Sequence, residues 1–211
     1  MPQNKDLKRL VRARMAETGE NYTQALSAVL GATGLEPVPA PWHMSGSHRA
    51  DYEAGLLPGT IAYGGSRVVQ LRLRAGIAEA PGFATLMQSI SAIRYTGRRV
   101  RFAAVIRTHE VDDWAGLWLR VDTSAGRHQL DNMQDRALTQ TTPWQEAAVV
   151  LDVIERATSL HFGVLLGGTG AVDFAKPSFE VVSTEVPVTA KPHPALPDEP
   201  QALNFDQPAA T

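Results

Sequence analysis

Gly116-Leu117-Trp118-Leu119-Arg120-Val121-Asp122 is the stretch on which the fold turns. In an extended chain successive side chains point to opposite faces, so Leu117, Leu119 and Val121 take one side and Trp118, Arg120 and Asp122 the other. One side is a core face and the other a polar surface carrying an aromatic ring. A helix would scatter both sets around its circumference, so the pattern predicts a half-buried β-strand. The alternation recurs elsewhere: Val100, Phe102, Ala104 and Ile106 stand against Arg99, Arg101, Ala103, Val105 and Arg107, and Phe162, Val164 and Leu166 against His161, Gly163 and Leu165. Arg107, Arg120 and His161 are thereby predicted to share one sheet face.

Working outward, strands are predicted at residues 60–63, 67–73, 84–93, 98–108, 116–122, 147–153, 159–166 and 172–188, with no long helical pattern among them. Eight short strands over 42–188 predict an antiparallel β-sandwich of jelly-roll type. Gly97 with Arg98, and the segment 167–170, fall where tight hairpin turns are expected. Ahead of the sandwich, Leu7, Leu10, Val11 and Met15 recur at helical spacing, Gly19 interrupts, and Asn21 caps a second run through Tyr22, Ala25, Leu26, Val29 and Leu30. Residues 1–34 are thus predicted to form a helical hairpin. Residues 35–41 hold three prolines in seven positions and read as a stiff linker. Residues 189–211 hold five prolines in 23 and read as a flexible tail.

The 211 residues are 44% hydrophobic and 20% charged, ordinary globular values that exclude a disordered chain or a coiled-coil rod. Twenty basic residues against 22 acidic ones give a net charge of −2, so no overall field draws the molecule to nucleic acid or an anionic membrane. The chain has no cysteine, which excludes disulfides and thiolate chemistry. With a charged beginning and no long apolar run, a cytoplasmic protein without membrane contact is expected.

The stretches Thr141-Thr142-Pro143-Trp144-Gln145, Val149-Val150-Leu151-Asp152-Val153, Ala157 through Val164, Gly168-Thr169-Gly170-Ala171-Val172 and Ser178-Phe179-Glu180-Val181 resemble the second half of galactose-binding-like jelly rolls, the fold of many carbohydrate-binding modules. The resemblance spans 42–188. Residues 112–122, followed by Asp131-Asn132-Met133-Gln134-Asp135-Arg136, resemble a bacterial subgroup of that fold found in uncharacterised proteins and in some labelled transcriptional regulators. Extracellular modules of the fold carry an acidic pair tied to calcium before the last strand, where this chain has Asp173 alone, so no calcium is expected. Residues 10–26 resemble the two-helix part of ribbon-helix-helix repressors and antitoxins, although no alternating strand pattern precedes them.

An aromatic ring beside planar hydrogen-bonding groups suits a small polar or amphipathic ligand, because the ring covers C–H surface while the polar groups fix hydroxyls. Trp118, Arg120, Asp122, Arg107, His109 and His161 are therefore the candidate ligand-binding residues. Lys5, Lys8, Arg9 and Arg12 make a basic stripe in the first helix that serves either DNA phosphates or a dimerisation arm of a homo-oligomer. No cofactor is expected. His43, His48 and Asp51 have conceivable metal spacing, and a loop leading into the first strand accounts for them equally well. Ser45, Ser47 and His48 lack the strand-turn-helix setting of a nucleophile elbow. The leading reading is a ligand-responsive regulator; the alternative is an enzyme of specialised metabolism using His109, Asp113, Arg120 or His161 in the sandwich cleft.

Overall fold

Valine, leucine, isoleucine and phenylalanine at every second position can be buried only if one sheet lays that face on another, and the chain does this with two antiparallel sheets. The structure, a computed structural model, describes residues 3–22, 25–26, 28–29, 34–58, 62–191 and 200. One sheet has six strands: β1 (His43–Ser45), β6 (Phe83–Ser91), β12 (Ala157–Gly167), β8 (Val111–Thr123) and β10 (Leu138–Gln140) in that spatial order, with β9 (Gly126–Asp131) also paired to β8. The other has five: β11 (Gln145–Val153), β7 (Arg98–His109), β13 (Ala171–Val182), β5 (Val69–Leu73) and β2 (Tyr52–Leu56). A small ribbon of β3 (Ala62–Tyr63) and β4 (Ser66–Arg67) completes the β-structure among the described residues. The mainly β sandwich expected from sequence is the fold observed.

Leu117, Leu119 and Val121 of β8, Leu160, Phe162, Val164 and Leu166 of β12 and Val100, Phe102 and Ile106 of β7 fill the space between the sheets. Phe102 and Phe162 meet across it with ring centroids 4.9 Å apart. The inward phase read from the 116–122 stretch is therefore the phase observed.

Several connections differ from expectation. Residues 167–170 do not close a hairpin, because β12 belongs to the six-stranded sheet and β13 to the five-stranded one. Gly168 and Gly170 take positive φ of 70° and 93° to lift the chain from one layer to the other. Gly97, between β6 and β7, marks another crossing of the same kind. The crossing from β7 to β8 uses the single residue Glu110 at φ 51°. Asp112 and Asp113, ahead of the strand predicted from residue 116, lie in β8. Strands β1, β2, β9 and β10 were not foreseen; each is short or lacks strict alternation. The last strand ends at Val182 rather than 188, with its register broken between Ala175 and Ser178 around Pro177, which has no N–H to give a neighbour.

At the N-terminus, α1 (Gln3–Thr18) ends where Gly19 takes φ 73°. Helical backbone resumes at Tyr22, Ala25, Leu26, Ala28 and Val29, while the remaining positions of the expected second helix lie outside the described residues; α1 is the one complete α-helix among those described. Leu26 and Leu35 pack on a cluster of Leu57, Val68, Val105 and Ala175 against the five-stranded sheet. Within the proline-rich stretch, Glu36 exchanges both backbone hydrogen bonds with Leu56 of β2. At the other end Thr189 donates its N–H to Val150 O and accepts the Val150 N–H on its hydroxyl, covering part of the β11 edge. Of the tail beyond, Ala190, Lys191 and Pro200 are the described residues.

Candidate ligand site

The outward face of the six-stranded sheet holds a hollow of about 480 Å³. Its floor follows from register. Trp118 of β8 and Met87 of β6 both stand opposite Gly163 of β12, and Leu165 stands opposite Gly116 and Thr85. At Gly163 strands β12 and β6 approach so closely that a Cβ would lie 2.1 Å from Leu86 O. The missing side chain leaves a depression between an indole and a thioether. Met87, Trp118 and Leu165 form a buried apolar cluster, with Trp114 and Leu130 packed beside it. Phe83 and Trp114 stand at one end of the hollow and Arg120 at the other, while Ser45, Thr85 and Asn132 add hydrogen-bonding groups.

Trp118 points outward as alternation requires, yet it is only 7% exposed. Its indole N–H donates to Thr85 Oγ1 at 2.6 Å, and that hydroxyl in turn donates to Val164 O at 2.8 Å. The indole is therefore a nearly covered floor of the hollow rather than the accessible plate expected. Trp114, half-buried and four residues earlier on the same face, is the more open ring. It was missed, although two-residue spacing from Trp118 through Gly116 carried the signal; Phe83, Thr85 and Met87 on β6 were legible the same way.

Beside the hollow, Ser89, His161 and Arg120 form a row across three neighbouring strands. Arg120 Nη2 donates to Asp122 Oδ2 at 2.8 Å, and His161 Nε2 lies 3.3 Å from the same oxygen and 3.0 Å from Ser159 Oγ. Ser89 Oγ is 2.7 Å from His161 Nδ1. The carboxylate favours the ring proton on Nε2, which leaves Nδ1 to accept from Ser89. Burial pushes the His161 pKa down, the Arg120 guanidinium adds to this, and Asp122 only partly opposes it, so the ring is neutral at neutral pH. Arg120 Nε and Asp122 Oδ1 are buried without a hydrogen-bond partner.

Arg107 and His109 are not part of this row. They lie on β7 in the other sheet, where they hold Asp173, whose side chain is fully buried. Arg107 Nε donates to Asp173 Oδ2 at 2.8 Å, His109 Nε2 lies 3.0 Å from that oxygen, and Gln70 Nε2 donates to Oδ1 at 2.8 Å. Burial raises the Asp173 pKa, but His109, Arg107 and Gln70 together outweigh it and hold the carboxyl below its usual range. The Arg107 guanidinium also stacks 4.7 Å from the Trp144 ring. The expectation that Arg107, Arg120 and His161 share a face is thus corrected: alternation gives a residue's side of its own strand, and strand order decides which sheet owns it.

The acid-base candidates of the enzymatic alternative are spread in the same way. Arg120 and His161 adjoin, His109 is on the opposite sheet, and Asp113 is seven residues from Arg120 along β8, roughly 20 Å in an extended strand. Among the described residues no three metal-ligating side chains are gathered, and no helix is long and apolar enough to cross a membrane. On α1, Lys8, Arg9 and Arg12 are exposed, while Lys5 lies on the helix with its side chain outside the described residues.

No family model matches the chain. The uncharacterized HTH-type transcriptional regulator YbfP of Bacillus subtilis (strain 168) is 40% identical over 169 residues, covering 79% of this chain and 56% of that protein. The chain thus matches a little over half the length of this relative. Among solved structures, the C-terminal family 22 carbohydrate-binding module of Clostridium thermocellum Xyn10B aligns with 70% of this chain and 89% of its own at 16% identity and TM-score 0.47. The CBM22-1 xylan-binding domain of Paenibacillus barcinonensis Xyn10C aligns with 71% and 90% at 16% identity and the same TM-score. The aligned structures are of the carbohydrate-binding-module kind that the resemblance named.

Proposed function

We propose that the protein is a ligand-responsive regulator whose sandwich holds a small sugar or similarly amphipathic molecule in the hollow over Trp118, and whose N-terminal helical segment supplies self-association and DNA contact. The hollow itself carries this reading. Its size falls in the usual range for small-molecule sites, roughly 300–1,000 Å³. Its mixture of indole and thioether surface with the hydroxyls of Ser45 and Thr85 and the amide of Asn132 suits a ring with an apolar face and a polar rim. The name of the B. subtilis relative supports the regulatory half, and the exposed Leu10 and Tyr22 beside the basic stripe support association through that segment. In this reading the protein acts in the cytoplasm, as a homo-oligomer, and needs no cofactor.

Titration of intrinsic tryptophan fluorescence with a panel of mono- and oligosaccharides tests the first half. Binding that Trp114→Ala abolishes, with the melting temperature nearly unchanged, is the expected result; binding unaffected by Trp114→Ala places the ligand elsewhere. For the second half, Lys8→Gln, Arg9→Gln and Arg12→Gln together should weaken a mobility shift on genomic DNA fragments and lower its salt slope by about one for every phosphate no longer neutralised. An unchanged shift would remove the helix from the interface.

A further inference from the structure

The hollow is electrically lopsided. Arg120 is the one charged side chain among the described residues that line it. Its counter-ion, Asp122, lies two residues further along β8 and is not among the residues that line the cavity. Of the pair, only the positive member lines the hollow. The two imidazoles facing this end are His161, held neutral by burial and by Arg120 itself, and His43 of β1, opposite Met87. The acidic residues Asp112 and Asp113 sit at the other end, next to Trp114, with Asp112 accepting the Thr169 N–H at 2.6 Å.

The pairing of Arg120 with Asp122 is also incomplete. Only Nη2 reaches the carboxylate, while Arg120 Nε and Asp122 Oδ1 are buried without partners, so the two-bond fork that would satisfy both groups is not made. A guanidinium offers five N–H donors in one plane, and Arg120 keeps 36% of its side chain exposed at the cavity wall. A planar anion matches that geometry. We propose that the ligand carries a carboxylate which sits on Arg120, with its ring body over Trp118 and its neutral end toward Trp114 and the Asp112-Asp113 pair. This deepens the ligand-binding reading and rests on it. The shared chemistry is that of a ring-bearing monocarboxylate, drawn either from acidic sugars or from aryl acids.

Isothermal titration of the full chain with two matched pairs separates these sources: methyl β-D-glucuronide against methyl β-D-glucoside, and phenylacetate against phenylacetamide. The acid of at least one pair should bind about tenfold tighter than its neutral partner, the scale of one charge-assisted hydrogen bond. Preference within the sugar pair assigns an acidic sugar, and within the aryl pair an aryl acid. Arg120→Gln should erase the preference of the acid over its neutral partner, and Arg120→Lys should keep part of it. Since Arg120→Gln strands Asp122, Asp122→Asn serves as the second variant: with the rival carboxylate gone, acid affinity should rise. Equal binding within both pairs, or no gain in Asp122→Asn, overturns this inference and leaves the ligand site standing. Failure of all four compounds to bind overturns both together.

Discussion

Truncating Trp118 to alanine tests whether the outward face of the six-stranded sheet has a packed floor. The indole is 7% exposed, and a buried ring of this class removes about 150–250 Å² from water, worth about 4–6 kcal/mol as an upper bound at 25 cal/mol per Å². The space left behind opens onto the hollow, so water enters it and the dry-cavity penalty of a sealed core falls away. No donor is stranded, because the Thr85 hydroxyl keeps its own bond to Val164 O. The loss should therefore sit at the low end for aromatic truncations, about 3 kcal/mol. For a chain of this size that lowers the melting temperature by about 6–12 °C. Trp118→Phe keeps the ring and gives up the 2.6 Å bond to Thr85, a cost of about 1 kcal/mol. Thermal melts followed by circular dichroism, with urea titrations confirming an unchanged slope, measure both values. If Trp118→Ala melts within about 2 °C of the parent, the indole carries no packing energy and the hollow has no packed floor.

Three further outcomes follow from the titrating groups. The Tyr52 hydroxyl donates to Gly168 O at 2.7 Å, with Gly82 O 3.0 Å away, from a fully buried ring, and burial, with Asp112, Asp51 and Asp113 nearby, pushes its pKa up to about 12. Its neutral form stabilises the fold below the unfolded value of about 10, and that contribution disappears as pH rises through 12; ultraviolet titration should show one late-ionising tyrosine that Tyr52→Phe removes. Asp173→Asn leaves Arg107 and His109 without their carboxylate and should cost about 3 kcal/mol at neutral pH. Because the folded Asp173 pKa is lowered, its contribution is present above the unfolded value of about 4 and is lost as pH falls through the folded one, so urea midpoints in acid should converge for parent and variant. In an NMR titration His161 should protonate below the ordinary value of about 6.5, and Arg120→Gln should move it part of the way back, since burial, the larger cause, remains; a midpoint that ignores the substitution would separate the two side chains.

Alternation along 98–108, 116–122 and 159–166 was enough to establish the sandwich and to say which side chains face its core, because period two is a local property of an extended backbone. The same logic placed Trp118, Arg120, Asp122 and His161 on the outward side of their strands. It had no access to strand order. Which strands become neighbours is decided by the sheet crossings at Gly97, Glu110 and Gly168 to Gly170, which send β7 and β13 to one layer and β6, β8 and β12 to the other. That partition took Arg107 and His109 away to hold Asp173, and gathered Ser89, His161 and Arg120 into one row. The hollow was likewise invisible, since it depends on Gly163 lying between Trp118 and Met87, a register relation among residues far apart in the chain. The sequence by itself determined the strands and the direction of each side chain; the tertiary structure alone decided which of those side chains meet, because contact across a sheet depends on non-local pairing.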